Sequence, residues 1–143
     1  MARQAENELG RLILKLANTI IRNRNHHLQA LDLTSSQADS LQFFLAHENA
    51  TVTDLKEEFG ITHQTARGIV MRMAEKGCVT LNRSEADGRC QIVTPTEHGT
   101  ELGETMRRNR TRTGGKLLDG MDAEEREIFI RCLNRAYENV KYD

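Results

Sequence analysis

Two helical patterns meet across one glycine in the stretch Leu55-Lys56-Glu57-Glu58-Phe59-Gly60-Ile61-Thr62, and this junction leaves the chain few ways to fold. Thr53 is a good N-cap for the first pattern. Leu55 and Phe59 lie four apart and share its inner face. Gly60 suits a left-handed stop, with Ile61 packing back over the turn. Thr62 then caps a new helix at once. A connection this short forces the two helices to cross steeply.

The second helix is predicted over Thr62–Lys76. Its apolar set, Ala66, Ile69, Val70 and Met73, follows the i, i+3, i+4, i+7 spacing. The opposite side carries Gln64, Arg67, Gly68, Met71 and Glu75, flanked by His63, Thr65 and Arg72. Lys76-Gly77 ends it. Val79-Thr80-Leu81 alternates as a strand does, and Gln91-Ile92-Val93 is its expected partner. Between them Asp87-Gly88 is a turn signal, and Arg89 sits just past the tip. Ala50-Thr51-Val52 is a candidate third strand.

Helix, tight turn, helix and polar hairpin in this order make a winged helix-turn-helix, a layout that puts one helix into the DNA major groove and a loop beside it. His63, Gln64, Thr65 and Arg67 cluster at the helix N-terminus, the end presented to base edges. Gln pairs with adenine and Arg with guanine, each worth roughly 1–3 kcal/mol of discrimination. Thr62, Thr65 and Arg72 are expected on phosphates. Gly68 costs about 1 kcal/mol relative to alanine inside a helix; it reads either as a point of close approach or as neutral drift. Arg89 suits a narrow minor groove. Asp87 is expected to orient Arg83 or Arg89 through a bidentate pair, against the alternative of a solvated turn.

These residues resemble the MarR family of bacterial transcription regulators. Leu33-Thr34-x-x-Gln37 is similar to the opening of that family's second helix, and Val52-Thr53-x-Leu55 followed by Gly60-Ile61-Thr62 to its helix-turn-helix entry. Glu75-Lys76-Gly77, Asp87-x-Arg89 and Pro95-Thr96-x-x-Gly99 resemble its helix exit, wing and fifth helix. The resemblance implies a homodimer on a near-palindromic operator in double-stranded DNA, more often a repressor. It also implies a small-molecule or redox signal that loosens DNA binding. Gly68 stands where many members carry a basic residue, and Pro95 where leucine is frequent, so base preference is not carried over. The family's effector pockets direct attention to Phe43, Phe44, His47 and His26, with His27 beside it; ordinary core or surface is the competing reading of each.

The rest of the chain reads as helix. Leu9, Leu12, Ile13, Leu16, Ile20 and Leu28 form a stripe over about residues 5–31, widened by Leu14 and Ile21, and wide enough to suggest burial against a second chain. Thr34 and Gln37 make a capping box before a helix that buries Ala38, Leu41, Phe44 and Leu45. Pro95 fits a first helical position, with Thr94 or Thr96 as cap. Gly114-Gly115 is expected to weaken or kink the helix that follows. Asp122-x-x-Glu125 opens the last one, striped by Ile128, Phe129, Cys132, Leu133, Ala136 and Val140. The predicted fold class is therefore mainly α with a small β-hairpin wing. Residues 34–99 form the winged part, and 1–33 and 100–143 the helical dimerisation part.

A chain of 143 residues is one domain's worth. Its net charge of −1 offers no whole-chain argument for nucleic acid, but a local basic face suffices. The run Arg107-Arg108-Asn109-Arg110-Thr111-Arg112 is one such concentration. No apolar run approaches a membrane span, and no secretory signal is visible, so a cytoplasmic protein is expected. Cys78, Cys90 and Cys132 form no close-set pattern. Cys78 is expected in the core, and Cys132 in the core or a dimer interface. Cys90 is a candidate redox thiol whose thiolate Arg89 would favour. The sequence holds no phosphate loop, no His-Glu-x-x-His pair and no nucleophile elbow, so neither an enzyme, a metal site nor a cofactor is expected. A protein-interaction module that does not bind DNA is the alternative use of the fold.

Overall fold

A computed structural model describes residues 1–143. Six helices and one hairpin follow in the order α1 (Ala2–Ala30), α2 (Ser35–Ala46), α3 (Val52–Phe59), α4 (His63–Glu75), β1 (Val79–Arg83), β2 (Gln91–Pro95), α5 (Glu97–Leu117) and α6 (Ala123–Val140). The chain forms two compact units, residues 1–109 and 110–143. No helix is long and apolar enough to cross a membrane.

The core of the first unit is built from the predicted periodicities. Leu41, Leu55, Ala66, Val70 and Met73 are wholly buried, and Phe44, Cys78, Val79 and Val93 nearly so. Thr34 and Gln37 form the expected capping box on α2. Gly60 adopts φ 61°, ψ 35°, the left-handed stop that lets α3 end and α4 begin within three residues. Thr62 caps α4, its hydroxyl accepting from the Thr65 amide at 3.1 Å. Strands β1 and β2 pair antiparallel, with Leu81 opposite Val93 and Arg83 opposite Gln91.

Several local expectations are corrected. Helix α3 is capped by Thr51, not Thr53: Thr51 and Asp54 form a reciprocal capping box, which Thr53 has no partner to match. The candidate third strand is reduced to one bridge between Thr51 and Ile92, because Val52 already belongs to α3. Pro95 ends β2 instead of opening α5. Thr96 is the residue that joins the two. It donates its hydroxyl to the Gly77 carbonyl at 2.6 Å and accepts from the Gly99 amide at 3.1 Å. Leu45 is exposed, not core. Helix α5 runs through Gly114-Gly115 to Leu117.

Most of the α1 stripe is uncovered: exposure runs from 39% at Leu16 to 63% at Leu12 and Leu14, and only Leu28 is buried. In the second unit Asp122 caps α6, and α6 buries no residue. Cys132 is exposed there, so it is not a core cysteine of the single chain.

Candidate nucleic-acid interface

The outward side of α4 is polar because its apolar set is spent on the core. Thr62, His63, Gln64, Thr65, Arg67 and Arg72 are all exposed, while Ala66, Val70 and Met73 face inward. Gly68 is half-buried, and a side-chain carbon added there would meet nothing within 4 Å. The glycine is thus not required by packing within the chain. Thr62 and Thr65 are joined hydroxyl to hydroxyl at 2.8 Å, which fixes both oxygens at the helix start.

The hairpin carries its cations to the same place. A cleft of about 410 Å³ opens between the N-terminus of α4 and the wing. His63 and Arg67 line it from the helix, and Arg83, Gly88 and Arg89 from the wing. Thr51, Thr53 and Gln91 complete the polar wall, and no carboxylate lines it. None of the three guanidiniums is in an ion pair. Three uncompensated arginines around one concavity focus a positive potential that an anionic backbone would neutralise. Gln64, Thr65, Gly68 and Arg72 lie on the helix outside the cleft wall.

Asp87 does not orient either arginine. Its Oδ1 accepts from the Arg89 backbone amide at 3.0 Å, and its Oδ2 from the Cys90 thiol at 3.6 Å. Ser84 completes the tip by accepting from the amides of Ala86 and Asp87 at 3.2 and 3.3 Å. The acid therefore shapes the turn, as Asx side chains do when a backbone amide is closer than a partner cation. Sequence reasoning also missed Thr51 and Thr53 as cleft residues. The signal was available in Thr51-x-x-Asp54, a capping box two residues before the cap chosen.

Residues 31–89 match the family model of the MarR family. The chain is 29% identical over 99 residues to the organic hydroperoxide resistance transcriptional regulator of Bacillus subtilis, covering 69% of this chain and 67% of that relative. It is 24% identical over 139 residues to the B. subtilis HTH-type transcriptional regulator YybA, covering 96% and 91%. A MarR family protein from Bacillus stearothermophilus superposes with a TM-score of 0.82 at 24% identity, over 99% of each chain. Residues 31–89 are thus similar to the MarR family, and the fold is that of a solved MarR family protein.

The MarR family consists of DNA-binding transcription regulators and not of enzymes. A mutant S. aureus MepR bound to an oligodeoxyribonucleotide has the same fold, with a TM-score of 0.75 at 19% identity, covering 92% of this chain and 97% of that one. In this chain the four effector candidates are divided among the core and two pockets. Phe44 is 2% exposed and belongs to the core. Phe43 stacks on His47 at 4.4 Å, and both line a pocket of about 460 Å³ whose other walls include Glu48, Asp54, Glu57 and Glu58. His26 lines a different pocket of about 660 Å³ with Arg22, Asp32 and Lys76.

The cysteines are also separated by environment. Cys78 is buried, and burial pushes its thiol above the ordinary value, against an opposing pull from Lys76. At Cys90 the charge of the Asp87 carboxylate, chiefly, raises the thiol above its ordinary value. The expected effect of Arg89 is thereby reversed, because the carboxylate that accepts from the thiol outweighs it.

Proposed function

We propose that the protein is a homodimeric transcription regulator, more often a repressor, that binds a near-palindromic operator in double-stranded DNA. The observation that carries the proposal is the carboxylate-free cleft in which Arg67 of α4 meets Arg83 and Arg89 of the wing. In this reading Gln64, Arg67 and His63 read base edges in the major groove. Thr62, Thr65 and Arg72 hold phosphates, Gly68 allows close approach, and Arg89 enters the minor groove. Arg83 adds charge at the wing root, and Asp87 keeps the turn in shape.

The uncovered stripe of α1 supports the dimer, since a run of exposed leucines and isoleucines of this width needs a partner. A two-fold pairing would set two recognition helices one turn of DNA apart, roughly 34 Å. DNA-bound MepR, a chain of the same fold, supports the DNA reading. A small-molecule effector that loosens DNA binding completes the proposal, with the pockets beside Phe43–His47 and beside His26 as places for it. The protein-interaction alternative leaves the three unpaired arginines without a use.

The test is an electrophoretic shift with the DNA upstream of the protein's own gene, alongside light scattering of the free protein. Specific retardation that fades with added salt, from a particle of twice the chain mass, is expected. A monomer that retards no duplex above a random-sequence control sinks the reading.

A further inference from the structure

Lys76 is the C-cap of α4, and its side chain does not extend into water as a lysine at a helix end ordinarily does. Its ammonium donates to the Asp32 carbonyl oxygen at 2.6 Å and to Gln37 Oε1 at 2.9 Å, with the Asp32 carboxylate at 3.7 Å. These acceptors sit at the corner between α1 and α2, 44 and 39 residues away in sequence. Gln37 is buried, and the same Oε1 accepts from the Thr34 amide at 3.2 Å as half of the α2 capping box. Asp32 holds φ at 55°, a left-handed conformation that a non-glycine residue seldom adopts, so the direction of its carbonyl is set by the corner. On the other side of the corner Arg24 of α1 pairs with Asp39 and donates to Ser35 Oγ at 2.7 Å. Two sets of polar contacts therefore meet at the start of α2, one tying it to α1 through Arg24 and one tying it and the corner to the end of α4 through Lys76.

We infer that Lys76 is a positioning residue that fixes the angle between α1 and the DNA-reading helix α4. Apolar contacts tolerate sliding and rotation, whereas a donor held by one oxygen of the α1–α2 corner and one of α2 does not. Leu28 and Leu33 pack under the corner but give no direction of their own. In a dimer joined through α1, the angle that Lys76 holds becomes the separation of the two reading helices. The inference rests on the proposed DNA-binding function only for that last step.

Two measurements test it. The first needs no DNA. Spin labels on Arg11→Cys and Met71→Cys, in a Cys90→Ser/Cys132→Ser background with labelled chain diluted by unlabelled, report the α1–α4 distance within one chain. A narrow distribution is expected for the parent, at least a doubled width for Lys76→Met, and the parent width for Lys76→Arg. Gln37→Met removes an acceptor from the other side and should broaden the distribution in the same sense, which keeps the test open if Lys76→Met folds poorly. Parent width in Lys76→Met, or in Gln37→Met where the first variant is unfolded, overturns the inference.

The second measurement uses operator duplexes whose half-sites are moved apart by one or two base pairs. Lys76→Met should bind the natural spacing about tenfold more weakly, with a flatter dependence on spacing and an unchanged salt slope. An equal loss at every spacing means that Lys76 acts on stability alone and overturns the inference. Should the parent bind no operator, the proposed function fails, and the distance measurement still decides the role of Lys76.

Discussion

The backbone amide of Arg89 donates to the carboxylate of Asp87 at 3.0 Å, so the acid at the wing tip holds the peptide of the arginine and leaves its guanidinium unpaired. This arrangement makes opposite predictions for charge and for shape. Removing a negative charge beside DNA should tighten binding if charge alone mattered. Because Asp87 builds the turn, Asp87→Ala is expected to weaken operator binding about three- to tenfold, on the scale of one lost hydrogen bond. Asp87→Asn keeps an oxygen acceptor and should bind at least as tightly as the parent. Fluorescence anisotropy with a labelled operator distinguishes the two outcomes.

The same carboxylate governs the wing thiol. Asp87 raises the Cys90 pKa, so the reactive thiolate is scarcer at neutral pH than for an ordinary cysteine and grows only at higher pH. Asp87→Asn should bring the titration down toward the ordinary value and speed alkylation of Cys90 at pH 7–8. Cys78, buried in the core, should react only on unfolding. Mass-spectrometric rates of iodoacetamide labelling across pH check the direction. An unchanged Cys90 rate in Asp87→Asn would show that the carboxylate does not control the thiol.

Gly99 and Gly103 predict a graded stability response. A side-chain carbon on Gly99 would stand 2.2 Å from the Cys78 carbonyl oxygen, which is backbone and cannot yield without moving the α4–β1 turn. On Gly103 the obstacle is Leu45 Cδ1 at 2.3 Å, the far end of an exposed side chain. Gly99→Ala should therefore destabilise by about 2–3 kcal/mol, the upper range for overpacking, and Gly103→Ala by less than about 1 kcal/mol. Urea unfolding gives both values.

The dimer prediction follows from Ile13, which is 42% exposed within the stripe on α1. Burying such a side chain is worth roughly 1.5–3 kcal/mol, and a two-fold interface counts it twice. Ile13→Glu should shift the protein toward monomer in sedimentation velocity and lose most operator affinity, while its helix content stays that of the parent. A dimer unchanged by this substitution would remove α1 from the interface.

Much of the interface was legible in the sequence because α4 obeys a single rule. Its burial follows from Ala66, Val70 and Met73, and once they are inside, Gln64 and Arg67 have nowhere to go but out. Gly60 and Thr62 were equally plain, since each carries its own local geometry. Where several donors compete for one acceptor, spacing gave no answer. Asp87 had two arginines within reach and took a backbone amide. Thr53 reads as the cap of α3 in the sequence, and the reciprocal bonds between Thr51 and Asp54 place the cap at Thr51 instead. The shared cleft of Arg67, Arg83 and Arg89 depends on how the hairpin folds back over α4, which residue spacing within either element does not encode.

Arg67 and Arg89 line one cleft from two elements, yet their substitution should produce different losses. Arg67 projects from the first turns of α4, where a bidentate contact to a guanine is worth about 1–3 kcal/mol of discrimination. Arg67→Ala should therefore weaken the natural operator more than a duplex altered at one base pair per half-site, and so relax preference there. Arg89, on the wing, is proposed to neutralise backbone charge in the narrow minor groove. Arg89→Ala should weaken all duplexes nearly alike and lower the slope of log affinity against log salt by about 1 per site. Titrations of both variants at several salt concentrations, on natural and altered operators, separate base reading from charge. Identical salt slopes for parent and Arg89→Ala would place that guanidinium away from the DNA.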